Sequence, residues 1–136
     1  MSIQDIGYGM RIEVPLAYPR AVERAREELK KEGFGVLTEI DVRATLKQKI
    51  DVDFRPYVIL GACNPPLAHQ ALSTIDDIGL LLPCNVVVYA TDDPDRSVVS
   101  AIDPISQLAV TNDDRVKPVA EEVRARLTRV LEGLTH

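Results

Sequence analysis

The chain contains no tryptophan, and its aromatic residues are limited to four tyrosines and two phenylalanines. This scarcity disfavours an aromatic cage for cations and a platform on which nucleic-acid bases stack. Basic runs are also absent and the net charge is −5, so we expect no nucleic-acid partner. The longest apolar run, residues 78–90, is interrupted by Pro83, Cys84 and Asn85, so no stretch predicts a membrane span.

The N-terminus lacks the pattern of a secretory signal, since Asp5 lies near its start and no basic residues precede an apolar block. We therefore expect a cytoplasmic protein with no membrane partner. Only two cysteines occur, Cys63 and Cys84, and a reducing compartment favours free thiols unless they perform redox or metal chemistry. A length of 136 residues suits a single domain, 1–136, with a hydrophobic core.

The chain does contain alternating strand and helix patterns. Strands are predicted at residues 6–14, 34–41, 57–63, 80–90 and 96–102. Helices are predicted from Pro19 to Gly33, over 42–50, from Pro65 to Asp76, after Pro104, and over 114–133. Since Pro83 cannot lie inside a central strand, we expect a bend or bulge at 82–85. The turn at 91–95 predicts a hairpin between the last two strands.

This order of elements predicts an α+β fold, a two-layer sandwich. Its core fits a ferredoxin-like or related βαββαβ arrangement, with a largely antiparallel five-stranded sheet, helices on one face and an extra C-terminal helix. The other face of the sheet needs a cover, and the last helix and a second subunit are the two candidates.

Both cysteines lie at breaks in regular structure. Cys63 ends a strand and precedes Asn64 and Pro65, which predict a helix cap and a first helical residue. A helix N-terminus favours a thiolate, so the pKa of Cys63 could be lowered. Cys84 follows Pro83, where irregular backbone suits a ligand site. Free cysteine is also commonly buried as a small hydrophobe, with a raised pKa, so a core role stays open.

The spacing of the cysteines limits what they can do together. If strands 57–63 and 80–90 run in the same direction, the two residues lie at opposite sheet ends, about 15 Å or more apart. Only an early bend at Pro83 would then bring them close enough for a disulfide. The metal ligands are few, because His69 and His136 are the only histidines and His136 is terminal. Cys63, Cys84 and His69 are therefore weak metal candidates, and Cys63 with His69 is an unspecific nucleophile–base pair.

Longer motifs resemble a known family. The segments GACNP around Cys63 and LLPCNV around Cys84, with GFGVLTEIDVRATLKQKI and Asp103-Pro104, resemble the domain of unknown function 302 family. The resemblance covers about residues 15–110 and stops before the last helix. It implies a small α/β domain, usually standing alone in prokaryotic cytosol, for which a homodimer is plausible. It implies no activity, because the family has none established, and the cofactor is unknown.

Three functions are compatible with these residues. The first is a small-ligand or metal-binding module whose site includes Cys63, Asn64, Pro65, Cys84, Asn85 and Asp103. The second is a thiol enzyme or redox protein with Cys63 as nucleophile and Cys84 as its partner, since Cys63 lies at the start of a predicted helix. No standard catalytic motif is present. The third is a structural or interaction domain whose cysteines belong to the core.

Overall fold

Alternating apolar and polar residues give the strands one buried face, as strand β2, Gly9–Val14, shows. Met10, Ile12 and Val14 are buried, whereas Arg11 and Glu13 between them are not. Successive side chains of a strand point to opposite faces, so one face of the sheet is covered and the other is open. The computed structural model of the protein describes residues 2–135.

The described residues form six strands and five α-helices. The other strands are β1 Gln4–Asp5, β3 Gly35–Asp41, β4 Tyr57–Cys63, β5 Cys84–Ala90 and β6 Ser97–Ile102. The helices are α1 Tyr18–Lys31, α2 Val42–Ile50, α3 Pro65–Thr74, α4 Pro104–Ala109 and α5 Lys117–Gly133. Short 3₁₀ helices occupy Asp76–Leu81 and Asp114–Val116. None of the helices within residues 2–135 has the length and apolar character needed to cross a membrane.

The strands form one sheet in the order β1-β2-β6-β5-β4-β3, and every neighbouring pair is antiparallel. The predicted two-layer α+β sandwich with an antiparallel sheet is confirmed, with six strands rather than five because Gln4–Asp5 adds an edge strand. β2 and β3 run in the same direction around helix α1, but β6, β5 and β4 lie between them. The predicted hairpin of the last two strands is present as β5 and β6.

Helices α1 and α5 pack against one face of this sheet, and α3 and α4 pack against α5. α5 contacts α1, α3, α4 and strand β2, so the last helix shares the covered face instead of closing the open one. Of the two candidate covers for the open face, the last helix is therefore excluded. Its buried stripe places Leu127 and Leu131 in the core with no exposed surface.

Arg24 takes part in an ion pair within α1 and joins this helix to the end of α5. Glu28 is buried, and its Oε2 accepts hydrogen bonds from Arg24 Nη1 at 3.0 Å and Lys31 Nζ at 2.6 Å. Arg24 also donates to the carbonyl oxygen of Gly133 at 3.1 Å. A side chain at Gly133 would meet the Glu28 carboxylate, so a glycine allows the close approach of the two helices.

Leu127→Ala should destabilise the whole domain by about 2–5 kcal/mol, because it empties a fully buried site between α5 and the sheet. The measurement is urea unfolding followed by circular dichroism. Leu80→Ala is the control, since the Leu80 side chain is 87% exposed and its removal should cost little. A cost near zero for Leu127→Ala would mean that α5 is an appendage outside the cooperative unit.

Candidate functional site

The two cysteines lie at the same end of neighbouring strands. β4 ends at Cys63 and β5 begins at Cys84, and the two strands are antiparallel with Ala62 opposite Cys84. Cys63 is one residue beyond that pair, so strand spacing and rise place the two cysteine Cα atoms about 6 Å apart. The separation of about 15 Å expected for strands of the same direction is therefore wrong, because helix α3 connects two antiparallel strands.

Closeness of the two Cα atoms does not bring the thiols face to face. Cys84 shares the covered face with Ala62, and Cys63 is the next residue of β4, so the pleat directs its side chain the other way. A disulfide requires side chains that point toward each other. Both cysteines are free, Cys84 buried and Cys63 half-buried.

A cavity of about 280 Å³ opens at this end of the sheet and includes both cysteines in its wall. It lies between the ends of β4 and β5 and the helices α3, α4 and α5. Most of the wall is apolar and comes from Phe34, Leu37, Ala62, Leu67, Ala68, Ala71, Leu72, Gly79, Leu82, Pro83, Pro104, Leu108, Val119 and Val123. The remaining wall residues are Cys63, Asn64, Cys84 and Gln107, and none of the residues lining the cavity carries a formal charge.

Asn64 holds the cavity wall together. Its Oδ1 accepts a hydrogen bond from Leu67 N at 3.3 Å and so caps α3, as the sequence predicts. Its Nδ2 donates to the carbonyl oxygen of Glu32 at 3.4 Å, and Arg126 donates to the same oxygen at 2.9 Å. The buried amide thus ties the start of α3 to the end of α1, and Arg126 joins α5 to the same carbonyl oxygen.

Proline marks the other side of the cavity. The 3₁₀ helix ends at Leu81, the Leu82–Pro83 peptide bond is cis, and β5 begins at Cys84. The irregular backbone predicted within 82–85 is therefore found at its first two residues. Gly61 of β4 leaves room for Pro83, since a side chain there would lie 2.9 Å from Pro83 Cγ.

The other predicted site residues do not line the cavity. Pro65 is exposed at the start of α3, and His69 is exposed on the same helix. Asn85 is exposed on the opposite face of the sheet, because it alternates with Cys84. Asp103 is buried as the cap of α4, where it accepts from Ile105 N at 2.9 Å.

Asp103 has a second partner in α5. Its Oδ2 lies 3.3 Å from Nε of Arg124. Within residues 2–135 no group of three or more His, Cys, Asp or Glu side chains is arranged to hold a metal ion. His136, the other histidine considered as a ligand, lies outside the described residues.

Burial governs the acidity of the two thiols. Desolvation raises the pKa of Cys84 to about 11, and the nearby Cys63 contributes to the rise. Desolvation also raises the pKa of Cys63. This direction is opposite to the lowering expected from the helix N-terminus beside Cys63. Both thiols are therefore protonated at neutral pH and are weak nucleophiles in that form.

Gln107 is a cavity residue that the sequence did not single out. Its Nε2 donates to the carbonyl oxygen of Leu81 at 2.7 Å, which links α4 to the segment before β5. Its Oε1 is buried and has no hydrogen-bond partner among the described residues. In the short helix PISQLA, Gln107 is one of two polar residues, and its position beside Leu108 does not distinguish it from an exposed glutamine.

The thiolate fraction should rise only at strongly alkaline pH. In a Cys63→Ser variant, the rate of Cys84 alkylation by iodoacetamide should inflect near pH 11, because burial keeps the thiol protonated below that pKa. In urea the inflection should return to about 8.5, the value of a free thiol. In Cys84→Ser, the remaining Cys63 should also inflect above its ordinary value; an inflection below it would contradict the structure and favour an activated nucleophile.

Asn64→Asp should cost about 1–3 kcal/mol of unfolding free energy. Aspartate keeps the cap of α3, but it loses the donor to Glu32 O and places a carboxylate near that carbonyl. Asn85→Asp is the matched control, since Asn85 is exposed. Equal unfolding free energies for the two variants would show that the Asn64–Glu32 hydrogen bond contributes nothing.

Comparison with known proteins gives a family and a structural neighbour. A family model described as "Domain of unknown function DUF302" matches residues 10–134, which includes α5. The crystal structure of an uncharacterized conserved DUF302 protein from Bacillus stearothermophilus is 32% identical. It covers 93% of this chain and 98% of its own, with a TM-score of 0.85. No match was found among curated proteins.

Proposed function

Because the chain belongs to the DUF302 family, whose description carries no activity, we propose a function from its own cavity: the binding of a small molecule beside the two cysteines. The observation that carries this proposal is an apolar cavity of about 280 Å³ whose wall includes both cysteines, Asn64 and Gln107. Apolar cavities of about 150 Å³ already bind benzene in other proteins. The proposed site comprises Cys63, Cys84, Asn64 and Gln107.

The proposed site and the site predicted from sequence differ in the residues that form them. Cys63, Asn64 and Cys84 remain, and Gln107 joins them from α4. Pro65, Asn85 and Asp103 have structural or solvent-exposed positions and are not part of the proposed site. A small molecule is preferred over a metal ion as the occupant of the site, because no third metal-ligating side chain is available among the described residues.

The alternative of a thiol enzyme or redox protein stays a prediction with less support. A thiol nucleophile acts as the thiolate, and burial opposes that form at both cysteines. The third interpretation, a structural domain with core cysteines, predicts no ligand at all. We also propose a cytoplasmic location, in keeping with two unbridged cysteines.

Ligand binding is tested by titrating ¹⁵N-labelled protein with a panel of uncharged aromatic and short aliphatic molecules. Amide shifts confined to the cavity wall are the expected result. Ala68→Phe should weaken binding by about tenfold or more, because it fills the cavity, and a tenfold loss corresponds to about 1.4 kcal/mol. Ala109→Phe is the control on an exposed position outside the wall. If no molecule shifts the wall residues, the proposal fails.

We further propose that a second copy of the chain covers the open face of the sheet. Tyr57, Ile59, Val87 and Tyr89 lie side by side on that face and are only partly buried. The rings of Tyr57 and Tyr89 stack with centroids 5.2 Å apart and planes at 6°. Apolar and aromatic patches on a sheet face normally pack against another layer.

Helix α2 supports the same proposal. It has nine residues and none of them is buried, although helices this short are marginal in water without packing. Phe54, between α2 and β4, extends the aromatic surface, with its ring 6.2 Å from that of Tyr57. Strand spacing and helix dimensions give the open face with α2 about 600 Å² per copy. A dimer would bury about 1,200 Å² in total, the lower end of the range for stable interfaces.

Val87→Glu should convert a dimer into monomers, because it places a charge at the centre of the open face. Sedimentation equilibrium gives the mass, and circular dichroism checks that the variant is folded. Val110→Glu is the control, since Val110 is 68% exposed at the end of α4, away from that face. A monomeric parent protein at micromolar concentration would overturn the dimer.

A further inference from the structure

The interior of the cavity offers a ligand no strong polar partner. The oxygen of Asn64 caps α3 and its nitrogen donates to Glu32 O, so both polar atoms are already used. The nitrogen of Gln107 donates to Leu81 O, and its oxygen is enclosed by the protein. The two thiols are weak donors and weak acceptors. A polar or charged group of a ligand would lose its hydration inside without compensation, so such a group belongs outside.

The wall of the cavity extends from the core of the protein to solvent. Ala62 and Ala71 are buried and form part of its inner end. Leu37 and Leu72 belong to the same wall, and their side chains are 66% and 42% exposed. Apolar side chains therefore line both the buried end and the mouth. The leucines at the mouth are in contact with water in the empty cavity, and an apolar occupant that reaches them would cover them.

The volume of the cavity limits the length of chain that it can enclose. A cavity of about 150 Å³ holds benzene, which has six carbons, so about 280 Å³ corresponds to about eleven carbons. Part of this space lies at the mouth, so about ten carbons fit inside. An elongated molecule can place its apolar end against the buried wall and keep a polar head in water, whereas a compact molecule of the same volume would draw its polar group toward the wall.

We propose that the cavity binds the hydrocarbon chain of a single-chain amphiphile, with about ten carbons inside and the polar head in solvent beyond Leu37 and Leu72. This ligand class rests on the proposed function and narrows it. Burial of the chain supplies the affinity, since each methylene removed from water adds to it. The head contributes little, because it stays hydrated in the free and the bound ligand.

The straight-chain alkanoates from hexanoate to tetradecanoate test the chain, each used below the concentration at which it forms micelles. Calorimetry measures the affinity, and amide spectra of ¹⁵N-labelled protein locate the site. Each added methylene should tighten binding by about fourfold until the chain fills the cavity. The gain should largely stop at about ten chain carbons, close to undecanoate. An affinity independent of chain length, or one that rises steadily through tetradecanoate, would overturn the proposal.

Variants at the two ends of the wall should change this series in different ways. Ala71→Leu fills the buried end, so the break should move to chains shorter by about three carbons while the shortest chains bind as before. Leu37→Ser removes apolar contact at the mouth, so every chain should bind about threefold or more weakly with the break unmoved. Val110→Ser is the control at an exposed position outside the wall.

Amide spectra establish that each variant keeps the native fold. Because Leu37 is exposed, its variant gives a test that does not depend on repacking the core. A break that stays in place in folded Ala71→Leu, or affinities for Leu37→Ser equal to those for Val110→Ser, would contradict the assigned orientation of the chain.

The head and the shape of the ligand are tested at constant size. Undecanoate and decyltrimethylammonium have chains of the same length and heads of opposite charge. Their affinities should differ by about fivefold or less, because charges that stay in water interact weakly with the protein. 1-Adamantanecarboxylate has as many carbons as undecanoate, but its cage lies beside the carboxylate. It should bind about tenfold or more weakly, since fewer carbons reach the buried wall while the carboxylate stays hydrated.

The outcomes separate the ligand class from the proposed function. Binding of the adamantane compound as tight as that of undecanoate would reject the elongated ligand and leave a small-molecule cavity. A larger difference between the two charged heads would overturn the placement of the head in solvent. If neither the alkanoates nor any molecule of the earlier panel shifts the cavity wall, the proposed function itself fails.

Discussion

The antiparallel pairing of β4 with β5 is the constraint on which the rest of the site depends. Two sequential antiparallel strands can be joined by a tight turn, but here a helix, a 3₁₀ helix and a proline form the connection. That connection must leave and re-enter the same end of the sheet. Its apolar side chains therefore gather over the strand ends, and a cavity remains where α3, α4 and α5 meet them.

The residue that caps α3 also stabilises this arrangement of strands and helices. Asn64 is commonly explained by its local role, since it ends a strand and starts a helix. The structure adds a contact distant in sequence, because its nitrogen and Arg126 bind the same carbonyl at the end of α1. A family motif that looks like a ligand site in sequence thus contains a residue whose polar atoms are already occupied by the fold.

Much of the fold was predictable because the patterns are local. The strand at 57–63 and the helix at 42–50 have the predicted bounds, set by an apolar run and by Asp41 as a cap. The two-layer class followed from their order. Strand direction was not predictable in this way, since an intervening helix is equally compatible with a parallel crossover. The error about the cysteine separation arose from that choice.

The candidate site was predictable only in part. Cys63, Asn64 and Cys84 stood out by residue type and position, and all three line the cavity. Asp103 stood out for the same reasons, but its carboxylate already accepts a hydrogen bond from Ile105 N and pairs with Arg124. The role of Gln107 depends on its hydrogen bond to Leu81, 26 positions away, and no local sequence pattern indicates that contact.

The irregular pairing in β3 has a consequence for the surface of the protein. β3 is an edge strand, and its register with β4 shifts between Val36 and Thr38, which leaves Leu37 without a partner. A regular exposed edge is a template for strand addition and aggregation, and a bulge interrupts it. Leu37, the extra residue of this bulge, also lines the cavity. One inserted residue therefore discourages fibril-like stacking of chains at this edge while extending the apolar wall toward solvent.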